Sequence, residues 1–261
     1  MPLSEQEIIK RLHEELEQGY PGVLCILYFK EGSGPRDPGA KMLVTSKGET
    51  IGTIGGGGME RLLVEKAFEV IRVGKPRSYH FAMGVPAKEG MISIDSKCGG
   101  KVKIFLDLIK PDPRLIIFGS GLISQAVARY AKDCGFTVMV IDDADTATEK
   151  NFPNTILYNS KYPESLQNVK IRSTDYVTIL HGETDFEINS LKHAIKSTPA
   201  FIGLLGSKNK RKEHVKQLIS EGIDAQAAEK IKGPIGLDIS AETPEEIAIS
   251  IVAELIQQKR G

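Results

Sequence analysis

The sequence has little cysteine and no C-x-x-C spacing. Cys25, Cys98 and Cys134 are odd in number and far apart, which excludes a disulfide framework and a structural zinc site built on paired thiols. It has no excess of charge: 34 Lys plus Arg balance 34 Asp plus Glu. No run of one sign occurs, so neither nucleic acid nor a membrane surface is an expected partner. It also lacks any apolar stretch near the roughly 20 residues that span a bilayer. The N-terminal stretch MPLSEQEIIKRLHEELEQG reads as an amphipathic polar helix and not as a signal sequence. A cytoplasmic location is therefore expected. What the chain does have is 261 residues, 41% of them hydrophobic, and 26 glycines, enough for one or two ordinary domains with a sizeable core.

Pro111 and Pro113 stand just before the apolar run LIIF and mark the expected boundary, giving domains 1–112 and 113–261. Upstream, the strand-like runs GVLCILYF, AKMLVTSKG, SYHFAM, MISID and KVKIFLDLI surround a helix. In that helix Met59, Leu62, Leu63, Ala67, Val70 and Ile71 keep the 3.6-residue period. Downstream, strands near 115–118, 137–141, 176–180 and 200–205 alternate with helical patterns, as in βαβ units on a parallel sheet. The predicted fold class is α/β: a small N-terminal α+β domain followed by a Rossmann-like, doubly wound parallel-sheet domain. The last helix is predicted to start with Thr243 as N-cap, Pro244 in its first position and Glu246 completing a capping box.

Three stretches carry candidate chemistry. In GTIGGGGME, Gly55, Gly56, Gly57 and Gly58 run from a strand end into a helix. Such a run turns backbone N–H groups toward one point at the positive pole of a helix, where a phosphate is favoured; the alternative is a tight turn in which glycine only satisfies φ > 0. In LIIFGSGLIS, Gly119 and Gly121 follow a strand and open a helix, and Asp142 ends the next strand. This is nearly the dinucleotide fingerprint, with Ser124 in place of the third glycine. It leaves open NAD(P), another nucleotide or an empty crevice. Cys98, before Gly99 and Gly100, is expected in a loop whose backbone N–H groups favour a thiolate, a soft metal ligand and a carrier of transferable sulfur. Cys25 and Cys134 lie in apolar strand and helix contexts where a buried, inert thiol is expected.

Taken together, EGSGPRDPGAKMLV, GTIGGGGME, CGGKVKIFLD, IIFGSGLISQAVA, IGLLGSKNKR and GPIGLDISAETPEEIAISIVAELI resemble the XdhC/CoxI family of xanthine dehydrogenase accessory proteins over almost the whole chain. The resemblance implies a chaperone that binds the molybdenum cofactor (molybdopterin), helps its terminal sulfido ligand to be installed, and delivers it to a xanthine dehydrogenase-like molybdenum hydroxylase. It further implies a cofactor site drawing on Arg36, Gly55–Gly58, Glu60, Gly99, Gly100, Gly119, Gly121, Asp142 and His181, with Cys98 as the reactive residue and metal ligand. A homodimer is expected, and the source of the sulfur, this chain or a cysteine desulfurase, stays open. Here Leu122 and Ala144 stand where the family often has His and Arg, and Glu183 where a second His is usual, so His181 is either a ligand contact or a strand-end cap. A second functional class, an NAD(P)-dependent oxidoreductase with a small substrate domain, lacks a recognisable proton-transfer pair.

Overall fold

The computed structural model describes residues 5–55, 57–96 and 98–260. The chain divides into two compact units, Met1–Pro111 and Asp112–Gly261.

The first unit contains helix α1 (Glu5–Glu17), strands β1 (Gly22–Gly32), β2 (Lys41–Thr45) and β3 (Thr50–Gly52), helix α2 (Gly58–Val73), and strands β4 (Arg77–Met83), β5 (Ile92–Ile94) and β6 (Gly100–Ile109). The strands form one sheet in the order β3-β2-β1-β6-β4-β5, antiparallel except where β4 meets β5. Alternation along β1 and β6 sends Val23, Cys25, Leu27, Val102, Ile104 and Leu106 to one face, as the two-residue period of a strand requires. There they meet Met59, Leu63, Ala67 and Val70 of α2 in a single core. α2 stops at Gly74, which closes the helix in the left-handed conformation (φ 74°) that glycine adopts without strain.

The second unit is a three-layer α/β structure. Its strands β7 (Arg114–Phe118), β8 (Thr137–Ile141), β9 (Ile156–Tyr158), β10 (Tyr176–Ile179) and β11 (Phe201–Leu204) form a wholly parallel sheet in the order β11-β10-β7-β8-β9. Helices α3 (Leu122–Asp133), α4 (Thr184–Lys196), α5 (Lys208–Ser220), α6 (Ala225–Glu229) and α7 (Pro244–Arg260) complete it. Two separate cores cover the two faces, one built on α4 and α5 and the other on α3 and α7, so the central strands are apolar on both sides. The order places a topological switch between β7 and β10, the position at which open α/β sheets form a crevice. At α7 the expected capping box is present: Glu246 N–H donates to Thr243 Oγ1 (3.2 Å) and Thr243 N–H donates to Glu246 Oε2 (3.0 Å). Among the described residues no helix is long and apolar enough to cross a membrane.

Candidate functional site

The first group of expected site residues gathers at one end of the N-terminal sheet. Register does this: Gly32 at the end of β1 and Met83 at the end of β4 both pair with Gly100 at the start of β6, Met83 pairs with Ile94 at the end of β5, and Met42 pairs with Gly52 at the end of β3. The chain therefore leaves the sheet at the same end after Gly32, Gly52, Met83 and Ile94, and enters it there before Lys41 and Gly100.

The segments are sewn together through positions where a side chain would not fit. A Cβ on Gly55 would stand 2.2 Å from Pro35 Cγ, so the glycine run and the Arg36 segment touch directly. A Cβ on Gly100 would stand 2.2 Å from the Ser33 carbonyl oxygen, and one on Gly84 would stand 2.8 Å from the carbonyl oxygen of Cys98. Gly57, Gly58 and Gly99 are different, because a Cβ on any of them would meet no atom of the described residues within 4 Å. Gly57 has φ +69°, which itself favours glycine, but the backbone of Gly58 makes no such demand, and its missing side chain leaves open space in front of the helix. Arg36 is exposed on the adjoining segment. Gly56 lies outside the described residues.

Glu60 turns out to hold the loop. Third in α2, it folds back so that Oε1 accepts from Thr53 Oγ1 (2.6 Å) and from Ile54 N–H (3.2 Å), while Thr53 Oγ1 accepts from Gly55 N–H (3.2 Å). This resembles a capping box, with the N3 carboxylate taking donors from the preceding chain. Sequence reasoning missed Thr53, whose hydroxyl gives no pattern until the loop is closed.

The three thiols sit in three environments. Cys25 is buried, and burial, followed by the charge of Glu60, pushes its pKa up to about 12. Cys98 is half-buried and packs against the edge of the N-terminal core, its N–H donating to Ser96 Oγ (3.1 Å). Cys134 corrects the expectation of burial: it is exposed. It follows the last turn of α3, whose apolar stripe of Ala126, Val127, Ala128 and Ala131 points elsewhere, and its N–H closes onto the carbonyls of Tyr130 and Ala131. Among the described residues no cluster of three or more His, Cys, Asp or Glu side chains could hold a metal ion.

The second group occupies the switch crevice of the second unit. Gly119 (φ +115°) lies so close to the β10–α4 segment that a Cβ would stand 2.9 Å from Leu180 carbonyl atoms and 3.0 Å from His181 Cα. Gly121 caps α3 with open space where its side chain would be. Asp142 does not face that space freely. It is 2% exposed, with Oδ2 accepting from Ser120 Oγ (2.7 Å) and Oδ1 accepting from Ala144 N–H (3.0 Å). His181 Nδ1 accepts from Glu183 N–H (3.2 Å), and its Nε2 lies 3.9 Å from Asp142 Oδ1. Its ring stacks on Phe186 (centroids 3.8 Å apart), and Phe186 stacks on Tyr162 (3.8 Å).

Behind this crevice lies a network the sequence did not signal. Glu187 is fully buried; Oε1 accepts from Gly182 N–H (2.9 Å) and Lys210 Nζ (2.7 Å), and Oε2 meets His214 Nε2 (2.8 Å). The basic start of α5 is thus largely used internally, since Arg211 also binds the Glu229 and Ile231 carbonyls.

A parallel-sheet unit of Rossmann type and a small α+β unit with a glycine-lined end make up a two-part architecture. Residues 115–255 match the XdhC Rossmann domain and residues 15–82 match the XdhC and CoxI family. The chain belongs to the XdhC and CoxI family. It is 33% identical over 248 residues to the uncharacterized protein YqeB of Escherichia coli (strain K12), covering 94% of this chain and 45% of YqeB. It is 33% identical over 159 residues to a protein of Bacillus subtilis (strain 168) described as a probable xanthine dehydrogenase subunit, covering 60% of this chain and 46% of that protein. It thus spans less than half the length of either. It is 22% identical to the molybdenum cofactor insertion chaperone PaoD of Escherichia coli (strain K12), covering 95% of this chain and 86% of PaoD. A solved structure described as a xanthine dehydrogenase from Bacillus halodurans shares the fold, with TM-score 0.53 and 22% identity over 97% of this chain and 95% of that one.

Proposed function

We propose that this protein is a molybdenum cofactor maturation factor that binds the cofactor at the glycine-lined end of its N-terminal sheet and passes it to a molybdenum hydroxylase of the xanthine dehydrogenase type. The observation that carries the reading is the convergence there of an open backbone surface at Gly57, Gly58 and Gly99, an exposed guanidinium at Arg36 and a half-buried thiol at Cys98. Family membership and the similarity to an insertion chaperone support it. The similarity to a probable xanthine dehydrogenase subunit supports the choice of client.

The cofactor, when bound, supplies a pterin with a terminal phosphate and a sulfur-held molybdenum. The residues suit such a group. Gly57 and Gly58 give it room against a helix N-terminus, the planar fork of Arg36 is fitted to bidentate phosphate contact, and Cys98, next to Gly99 in sequence, is a half-buried thiol available to ligate metal or to carry sulfur. Sulfuration by way of Cys98, a cysteine desulfurase as sulfur donor, a homodimer and a cytoplasmic location complete the proposal. The oxidoreductase alternative has less support, because Asp142, the acid a dinucleotide ribose would need, is already engaged by Ser120 and Ala144.

The test is copurification from a host that makes the cofactor, read as fluorescent oxidised pterin and molybdenum per protein. Gly58→Val puts side-chain atoms into the space where a Cβ meets no described atom within 4 Å, and such surface changes shift stability by roughly 0.5 kcal/mol or less. Gly58→Val should therefore lose the pterin while unfolding like the wild type. Cys98→Ala should keep the pterin and fail to activate a client hydroxylase. Full pterin retention by folded Gly58→Val would sink the reading.

A further inference from the structure

We infer that Glu60 is a positioning residue with two opposed effects: it builds the glycine loop, and its charge weakens the hold of that loop on an anion. The inference rests on the reading of the site proposed above. Its basis is the back-folded carboxylate, which takes the Thr53 hydroxyl at 2.6 Å and the Ile54 N–H at 3.2 Å, while Thr53 takes the Gly55 N–H at 3.2 Å. Two backbone donors of the loop are thereby turned toward Glu60 and Thr53 and away from the open space. The N–H groups of the first helical turn, which have no intrahelical acceptor, remain to meet a ligand.

The charge of Glu60 acts on those remaining donors. A carboxylate in the first turn already answers the positive pole of α2, so a phosphate arriving in front of Gly57 and Gly58 meets a helix end that is partly neutralised and a like charge behind it. That field extends beyond the loop, for it also disfavours ionisation of Cys25 in the adjoining core. A neutral group with the same hydrogen-bonding oxygen would close the loop equally well and leave the pole free. The presence of the acid gives a socket that is shaped before the ligand arrives and holds an anion loosely. A loose hold suits a protein that must give its ligand up to another.

Glutamine separates the two effects, because Glu60→Gln keeps an acceptor for Thr53 and Ile54 and removes the charge, whereas Glu60→Ala removes both. The full-length wild type and both variants are titrated calorimetrically with inorganic pyrophosphate, and amide hydrogen exchange is followed across residues 53–58. Glu60→Gln is expected to bind pyrophosphate roughly three- to tenfold more tightly, the size of a charge effect at a partly exposed helix end, with amide protection at Ile54 and Gly55 unchanged. Glu60→Ala is expected to lose that protection and to bind no more tightly than the wild type. Equal or weaker pyrophosphate binding by Glu60→Gln overturns the electrostatic half of the inference, and full protection in Glu60→Ala overturns the positioning half. If no form binds pyrophosphate, the inference fails, and copurified pterin on the wild type would show that the cofactor reading survives it.

Discussion

Cys25 and Cys98 are the same residue type given different properties by their surroundings. Cys25 sits between Met42 and Leu106 in the register of the sheet, buried, with its thiol raised from 9.0 to about 12. The native state thus binds this proton more tightly than the unfolded chain does. The associated stability is fully present below pH 9 and is lost as pH rises toward 12, by about 4 kcal/mol at most. Urea unfolding at pH 8 and pH 11 should therefore show a steeper loss for the wild type than for Cys25→Ala, which has no thiol to ionise. Equal losses would mean that other groups carry the alkaline destabilisation. The inert character of Cys25 was legible from its place in an apolar alternating run. The exposure of Cys134 was not, because an apolar sequence neighbourhood does not say which side of a helix end a residue faces. Glu60 illustrates a further limit: its place in GTIGGGGME marked it as a site residue, but only the closed loop reveals that its oxygen is turned inward.

Among the elements, those with strong periodicity or explicit punctuation were readable: β1, β6, β7 and β8 from their apolar runs, α2 from its stripe, and α7 from Thr243, Pro244 and Glu246. The three-residue strands β3 and β9 were not, since they are fixed by pairing with β2 and β8. The buried Glu187 network was equally illegible, because its members come from α4, α5 and the β10–α4 segment and meet only once α4 and α5 pack side by side. That network joins two helices to the backbone of Gly182, next to His181. Removing the carboxylate leaves Lys210 and His214 facing a buried void. Glu187→Ala should thus destabilise the protein by roughly 3 kcal/mol, measurable as a lower midpoint in chemical denaturation, with Glu187→Gln intermediate. An unchanged midpoint would mean that Lys210 and His214 find water or other acceptors without it.

At the scale of the molecule, each unit has its own core, one in Met1–Pro111 and two in Asp112–Gly261. Residues 1–111 and 112–261 produced separately should each show native-like circular dichroism and a cooperative unfolding transition. A fragment that stays unfolded would show that its core is incomplete alone. Six sequence motifs in order made the family recognisable along most of the chain, while the arrangement of the site depended on sheet register that no motif encodes. One property of the glycine-lined end has an evolutionary side. A surface built of peptide groups offers substitution no dial to turn: replacing Gly55 or Gly100 brings a clash, and replacing Gly58 fills the space, but none of these changes gives the wall a new chemical preference. Divergence toward a different ligand would have to proceed through the side chains that border the wall, Arg36, Glu60 and Cys98. On the function proposed above, relatives with a different ligand should keep the glycines and vary there.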